Sequence, residues 1–107
     1  MEKIKQIARQ NPYGFTYNLR KDNFVRYGYV VAYLETQDCF DDDGLEKALK
    51  HSLEHDGIIG GWLNDDNDKY YYDSCKVFFT LADAIVFAKQ NKQIALFDLT
   101  NQREIRV

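Results

Sequence analysis

Apolar residues change their period several times along this chain, and each change marks an element. Ile4, Ile7 and Ala8 stand at helical spacing among charged residues, which predicts a short amphipathic helix over 2–10. Pro12 and Gly14 end it. Phe15-Thr16-Tyr17-Asn18-Leu19 alternates apolar with polar, as a half-buried strand does. After the turn Arg20–Asn23, residues 24–35 are rich in β-branched and aromatic side chains. The centre of that run, Tyr27 to Leu34, has few polar interruptions. Such a strand is expected to be covered on both faces and central in its sheet.

The acidic loop 36–42 leads into Asp43-Gly44-Leu45-Glu46, which fits a capping box with Asp43 as the cap and Glu46 reaching back. Leu45, Ala48, Leu49 and Leu53 follow at helical spacing, predicting a helix from about 44 to 55 that stops at Asp56-Gly57. Ile58–Leu63 reads as a strand and Asn64–Asp68 as a turn. Lys69–Asp73 then forms the return arm of a hairpin, continuing through Cys75–Phe79 after a bulge at Asp73-Ser74. Thr80–Asp83 is a second N-cap signature, and Leu81, Ala84, Ile85 and Ala88 form the stripe of a helix ending near Asn91. Residues 93–99 and 104–107 read as strands around a turn at 100–102.

Without its two ends, the order is strand, helix, strand, strand, helix, strand. This predicts an α+β fold with an antiparallel-rich sheet and a ferredoxin-like, split βαβ core. An extra N-terminal helix and strand and a C-terminal strand would be added to that core. Right-handed crossovers place both helices on one sheet face, with strands 27–35 and 69–79 in the middle. The alternative is a different α+β sheet in which the terminal strands rearrange the order.

Length and charge narrow the class. The chain has 107 residues, enough for a single domain over 1–107. It lacks a signal-peptide pattern at its start, a membrane-length apolar run and a C-terminal lipidation motif, so a cytoplasmic, non-membrane protein is expected. A net charge of −3 argues against broad phosphate-backbone binding. Cys39 and Cys75 lie outside any CxxC pair and read as reduced thiols.

The candidate chemistries thin out on inspection. His51 and His55 have the spacing of a metal pair on a helix, and Cys39 and Cys75 would complete a set. On the helical wheel, however, His51 points away from the core and His55 lies at its margin, so both are expected to face solvent and no metal is assigned. Asp41–Asp43 with Gly44 fails the calcium-loop pattern, because Cys39 and Lys50 fall at ligand positions. Gly60-Gly61 is no phosphate loop and is expected to let the chain bend beside Trp62. No catalytic residue and no cofactor is assigned.

Aromatic residues are the distinctive feature, at 15% of the chain with eight Tyr and seven Phe. Tyr27, Tyr29, Tyr33, Tyr70, Tyr71 and Tyr72 fall on the two strands expected at the centre. RNA-recognition modules stack bases on such strands, but Lys69-Tyr70-Tyr71-Tyr72-Asp73 lacks the glycine of their pattern and brings an acid. An exposed tyrosine face suits a protein partner or a second copy better.

Four strings also look familiar as a set. They are Asn11-Pro12-Tyr13-Gly14-Phe15-Thr16, Val31-Ala32-Tyr33 with Glu35-Thr36-Gln37, Gly60-Gly61-Trp62 with Tyr70–Asp73, and Ile94–Leu99. Together the chain resembles short uncharacterised proteins or segments from bacterial phages and conjugative elements. The resemblance implies a mobile-element setting and carries no activity with it.

The leading expectation is a small interaction module that binds a protein partner or itself through a Tyr-rich sheet face. Its binding residues would be Tyr29, Tyr33, Trp62, Tyr70, Tyr72 and Asp73. The alternative is a small-ligand, nucleotide or enzymatic site near the 61–73 hairpin, joining Trp62, Tyr72 and Asp73 to His51 or His55. A third is single-stranded nucleic-acid binding, against which the acidic balance counts.

Overall fold

The computed structural model describes residues 1–107. In chain order the elements are α1 (Glu2–Gln10), β1 (Phe15–Asn18), β2 (Asn23–Phe24), β3 (Tyr29–Ala32), α2 (Asp41–Glu54), β4 (Ile58–Asn64), β5 (Lys69–Phe78), α3 (Leu81–Gln90), β6 (Ala95–Asp98) and β7 (Arg103–Arg106). A single 3₁₀ turn, Leu34–Thr36, stands between β3 and α2. The seven strands form one sheet in the order β2-β1-β4-β5-β3-β6-β7, with every pairing antiparallel. This is an α+β fold. No helix is long and apolar enough to cross a membrane.

The sheet has two differently packed faces. Leu45 and Ala48 of α2, with Ile4, Ile7 and Ala8 of α1, cluster against Tyr17, Ile59 and Tyr72. Ala84 and Ala88 of α3 cluster against Val31 and Leu96. Strand residues of the other parity, Val30, Ile58 and Cys75, form a separate cluster with Leu99 and no helix residue.

Several local expectations are corrected. The run 24–35 is not one strand. Gly28 takes φ +93, and a Cβ there would lie 2.8 Å from the Phe78 carbonyl, so the chain breaks between β2 and β3. The helix α2 begins at Asp41 rather than 44, and Asp43 does not cap it. Phe40 is extended at its start, pinned by a bridge to Tyr71, and Asp41–Asp43 occupy the first turn, where the helix dipole favours acids.

The bulge at Asp73-Ser74 is absent. The β4–β5 register runs unbroken from Ile58↔Cys75 to Asn64↔Lys69. What looked like a break in alternation is a polar residue, Ser74, on the helix-covered side. Leu53 is 59% exposed, and Ser52 is buried in its stead, bonding the carbonyls of Ala48 and Ile58. The strand at 93–99 is shorter, and Ile94 lies outside it.

Candidate functional site

Alternation along β5 sends its consecutive aromatics to opposite faces, and this decides the site. Tyr72 clusters with residues of α1 and α2, and Tyr70 packs against that cluster. The Tyr70 hydroxyl donates to the Asn11 carbonyl at 2.7 Å, and Tyr72 is buried in the cluster with Leu45. Tyr29 packs against the α3 cluster. Tyr33 stands against His51, His55 and Phe87, and its hydroxyl donates to Asp56 at 2.9 Å. Burial raises the phenol pKa of both Tyr33 and Tyr70, with the Asp56 hydrogen bond as a second cause at Tyr33. Tyr29 and Tyr33 are therefore engaged in packing, while Tyr70 and Tyr72, besides packing, line a hollow between α1 and α2.

Trp62 and Asp73 are the expected site residues that share a cleft. It has a volume of about 940 Å³ and crosses the second face, from Tyr13 and Phe24 at one end to Ile94 and Phe97 at the other. Three of its large apolar side chains are open to solvent: Tyr13 fully, Ile94 at 72% and Trp62 at 43%. His51 and His55 take no part in it, so the set joining them to Trp62 and Asp73 does not assemble.

The floor of the cleft is shaped by a missing side chain. Gly60 is the direct cross-strand partner of Asp73 and also of Thr16 on β1. Its bare Cα makes way for the Cys75 thiol on the cleft side, since a Cβ there would press to 3.2 Å from the Sγ. Trp62, two residues along β4 on the same face, is the diagonal neighbour of Asp73. Gly61 serves the other face, where a Cβ would strike the rings of Phe15 and Tyr70 at 2.6 Å. The glycine pair thus accommodates close packing on both faces, rather than the expected bend.

Asp73 is the unusual group. Burial first, and then the charge of Asp38, push its carboxyl up to about 6, and no hydrogen bond or cation of the chain opposes them. Arg26 lines the same cleft but lies over the Phe24 ring, 5.1 Å from its centroid. Beside Asp73 runs an aromatic row across three chain segments. Trp62 stacks on Tyr71 with centroids 5.2 Å apart, and Tyr71 meets Phe40 at 5.4 Å. The sequence reading named Trp62 and missed Tyr71 as its partner, together with Phe40, Tyr13, Ile94 and Gly60. Strict alternation from Tyr70 to Cys75 was the available signal for Tyr71.

On the helix side, His51 corrects another expectation. It is turned inward, its side chain 14% exposed, and it shares a 2.7 Å hydrogen bond between Nδ1 and Ser74 Oγ. Its Nε2 is buried without a hydrogen-bond partner, 3.8 Å from Glu35, and its ring stacks on that of His55 with centroids 3.8 Å apart. Burial, then the charge of His55, lowers its pKa. The line Glu35–His51–Ser74 has the residue types of a hydrolytic triad. Ser74 is fully enclosed, however, so its hydroxyl joins α2 to β5 and presents nothing to a substrate.

The chain matches no protein-family model, no curated protein and no solved structure. Two further arrangements bear on chemistry. Cys39 and Cys75 are both buried and unpaired, and burial raises both thiol pKa values. No three of the His, Cys, Asp and Glu side chains converge as metal ligands. A shallower hollow of about 530 Å³ between α1 and α2 is lined by Lys5, Arg9, Asp41–Asp43 and the expected site residues Tyr70 and Tyr72. Within it Lys5 is bonded to Asp42 at 2.8 Å.

Proposed function

We propose that the chain is an interaction module that binds a segment of a partner protein along the cleft on the second face of its sheet. The observation that carries this reading is the joint exposure of Tyr13, Trp62 and Ile94 around one cleft. Scattered exposed apolar side chains are ordinary, whereas several gathered on one concave surface mark an interaction site. The aromatic row Trp62–Tyr71–Phe40 extends that surface with stiff, amphipathic side chains of the kind that dominate protein interfaces.

The scaffold we propose for this module is a ferredoxin-like core with its helices on one face, leaving the other free for the partner. Support comes from the strand order β4-β5-β3-β6 and from the absence of helix residues in the Val30–Ile58–Cys75 cluster. The setting we propose is the cytoplasm of a bacterium carrying a phage or conjugative element, on the strength of the resemblance of the quoted strings.

The test is selection of a displayed random-peptide library against the whole chain, with each enriched peptide re-measured on Trp62→Ala and Ile94→Asp. Peptides that lose at least tenfold in affinity on both variants support the reading. Peptides that ignore both variants overturn it. Light scattering on the free chain separates the remaining occupant, since a stable dimer broken by Ile94→Asp would make a second copy the partner.

A further inference from the structure

The cleft is mostly neutral, and the half-buried carboxyl that lines it, Asp73, has no hydrogen-bonding or charged partner in the chain. Around Asp73, β4 supplies Gly60 and Trp62, and β5 supplies Tyr71 and the buried thiol of Cys75. The nearest charge raising its pKa is another acid, Asp38. The basic residue on the cleft wall, Arg26, is engaged with Phe24, and Glu104 lies on the far wall. A carboxyl drawn into a sheet without a donor is costly to the fold, and such groups ordinarily find a partner. Here the chain supplies no partner, and the space for one is the open cleft that Asp73 lines together with Gly60 and Trp62.

We propose that this space receives an arginine side chain from the bound partner segment, its guanidinium meeting the Asp73 carboxyl and lying along the indole of Trp62. The inference rests on the reading of the cleft as a protein-binding surface and names what that surface selects. Charge complementarity chooses a cation. The adjoining aromatic row chooses arginine over lysine, because a planar guanidinium stacks on a ring while donating in its own plane to a carboxylate. Arg26 over Phe24 is an instance of the same kind of contact inside the cleft. The carboxyl must be ionised to hold the cation, so binding weakens as pH falls below about 6.

Trp62 is the only tryptophan, so its fluorescence reports on this space directly. The experiment titrates the whole chain with Nα-acetyl-arginine methylamide, and in parallel with the uncharged norleucine analogue. The expected result is a saturable change at pH 7.5 with arginine and none with norleucine. Affinity should be about tenfold weaker at pH 5, where roughly one Asp73 in ten is ionised given a pKa of about 6. Asp73→Asn should lose at least tenfold at pH 7.5 with its far-ultraviolet spectrum unchanged. The carboxyl ¹³C titration of Asp73 in the wild-type chain should move to lower pH when the arginine probe is present.

A silent Trp62 at tens of millimolar probe, equal response to norleucine, or an unaffected Asp73→Asn each overturns the proposal. Failure of the underlying reading looks different. If library peptides depend on Trp62 and Ile94 but carry no basic residue, the arginine anchor falls and the docking surface stands. If they ignore Trp62, both fall.

Discussion

The two faces of the sheet treat their carboxyls, Asp98 and Asp73, in opposite ways. On the side packed against α1 and α2 the buried groups are answered with one exception, His51 Nε2, which has no hydrogen-bond partner. The hydroxyls of Tyr33 and Tyr70 have acceptors, Ser74 has His51, and Ser52 bonds two carbonyls. Asp98, in β6 at the edge of that packing, is 1% exposed and accepts two hydrogen bonds from Asn101, which with nearby Arg103 hold its carboxyl below the usual range. On the cleft side Asp73 has none of this and is pushed the other way. A fold able to satisfy Asp98 so fully has left Asp73 unsatisfied. The difference teaches that the side carrying Ile59 is closed around its polar groups, with His51 Nε2 left over, whereas the cleft side leaves a carboxyl without a donor of the chain.

The largest expected effect tests the first half of that comparison. Ile59 is fully buried between β1, β5 and the helices. Ile59→Ala should destabilise by about 3 kcal/mol in urea unfolding, from lost transfer energy plus the cavity left behind. A loss below about 1 kcal/mol would mean that the helix side is loosely packed and that the contrast between faces is weaker than drawn.

Next comes a substitution that should stabilise. The folded pKa of Asp73, about 6, lies above its unfolded value of 3.8, so folding favours the protonated form. Its stabilising contribution is fully present below pH 3.8 and is lost as pH rises through about 6. Asp73→Asn should therefore be more stable than the parent by about 2 kcal/mol at pH 7.5, an estimate reduced for partial solvent contact. The advantage should vanish below pH 4. Destabilisation at pH 7.5 would show that the carboxylate has a partner in solution, and the comparison would fail.

His51 runs in the opposite sense. Its pKa is lowered by burial, so the fold favours the neutral ring. Its contribution is complete above the unfolded value of 6.5 and is lost as pH falls from there through the depressed folded value. Ser74→Ala removes the group that shares the Nδ1 hydrogen bond and should cost about 1 kcal/mol near neutrality. His51→Gln should flatten the acid limb of the stability curve below pH 6.5, leaving the slope from Asp73 exposed. Unfolding curves at half-unit pH steps read both. An unchanged acid limb would place the His51 ring in solvent.

The class of fold and the order of its elements were legible because they are written in local period. Ile4, Ile7 and Ala8 cannot serve a strand, and Ile58–Leu63 followed by Asn64–Asp68 announces a hairpin. The site was legible only in part, at Trp62 and Asp73. Which face a strand residue occupies depends on parity, and a slip of one residue reverses every assignment. Grouping Tyr70, Tyr71 and Tyr72 as one surface ignored that neighbours in a strand point apart. The pairing of Gly60 with Asp73 needs the β4–β5 register, and that of His51 with Ser74 joins elements 23 residues apart. No local pattern encodes either. Asp43 matched a capping box, yet the bridge between Phe40 and Tyr71 set the start of α2 earlier.

The smallest effect on stability should come with the largest effect on binding. Trp62 is 43% exposed, and its main contact is the stack on Tyr71. Trp62→Ala should cost less than about 1 kcal/mol, the worth of an exposed aromatic pair on a sheet. The same change removes the wall of the cleft beside Asp73, so peptide affinity should fall at least tenfold while the urea midpoint barely moves. Ile59→Ala should do the reverse, lowering the midpoint but sparing affinity wherever the chain remains folded. Crossing the two variants in one double-mutant cycle sharpens the contrast. Near-additive stabilities would show the two faces to be energetically separate, whereas a coupling above about 0.5 kcal/mol would show that they communicate through the sheet.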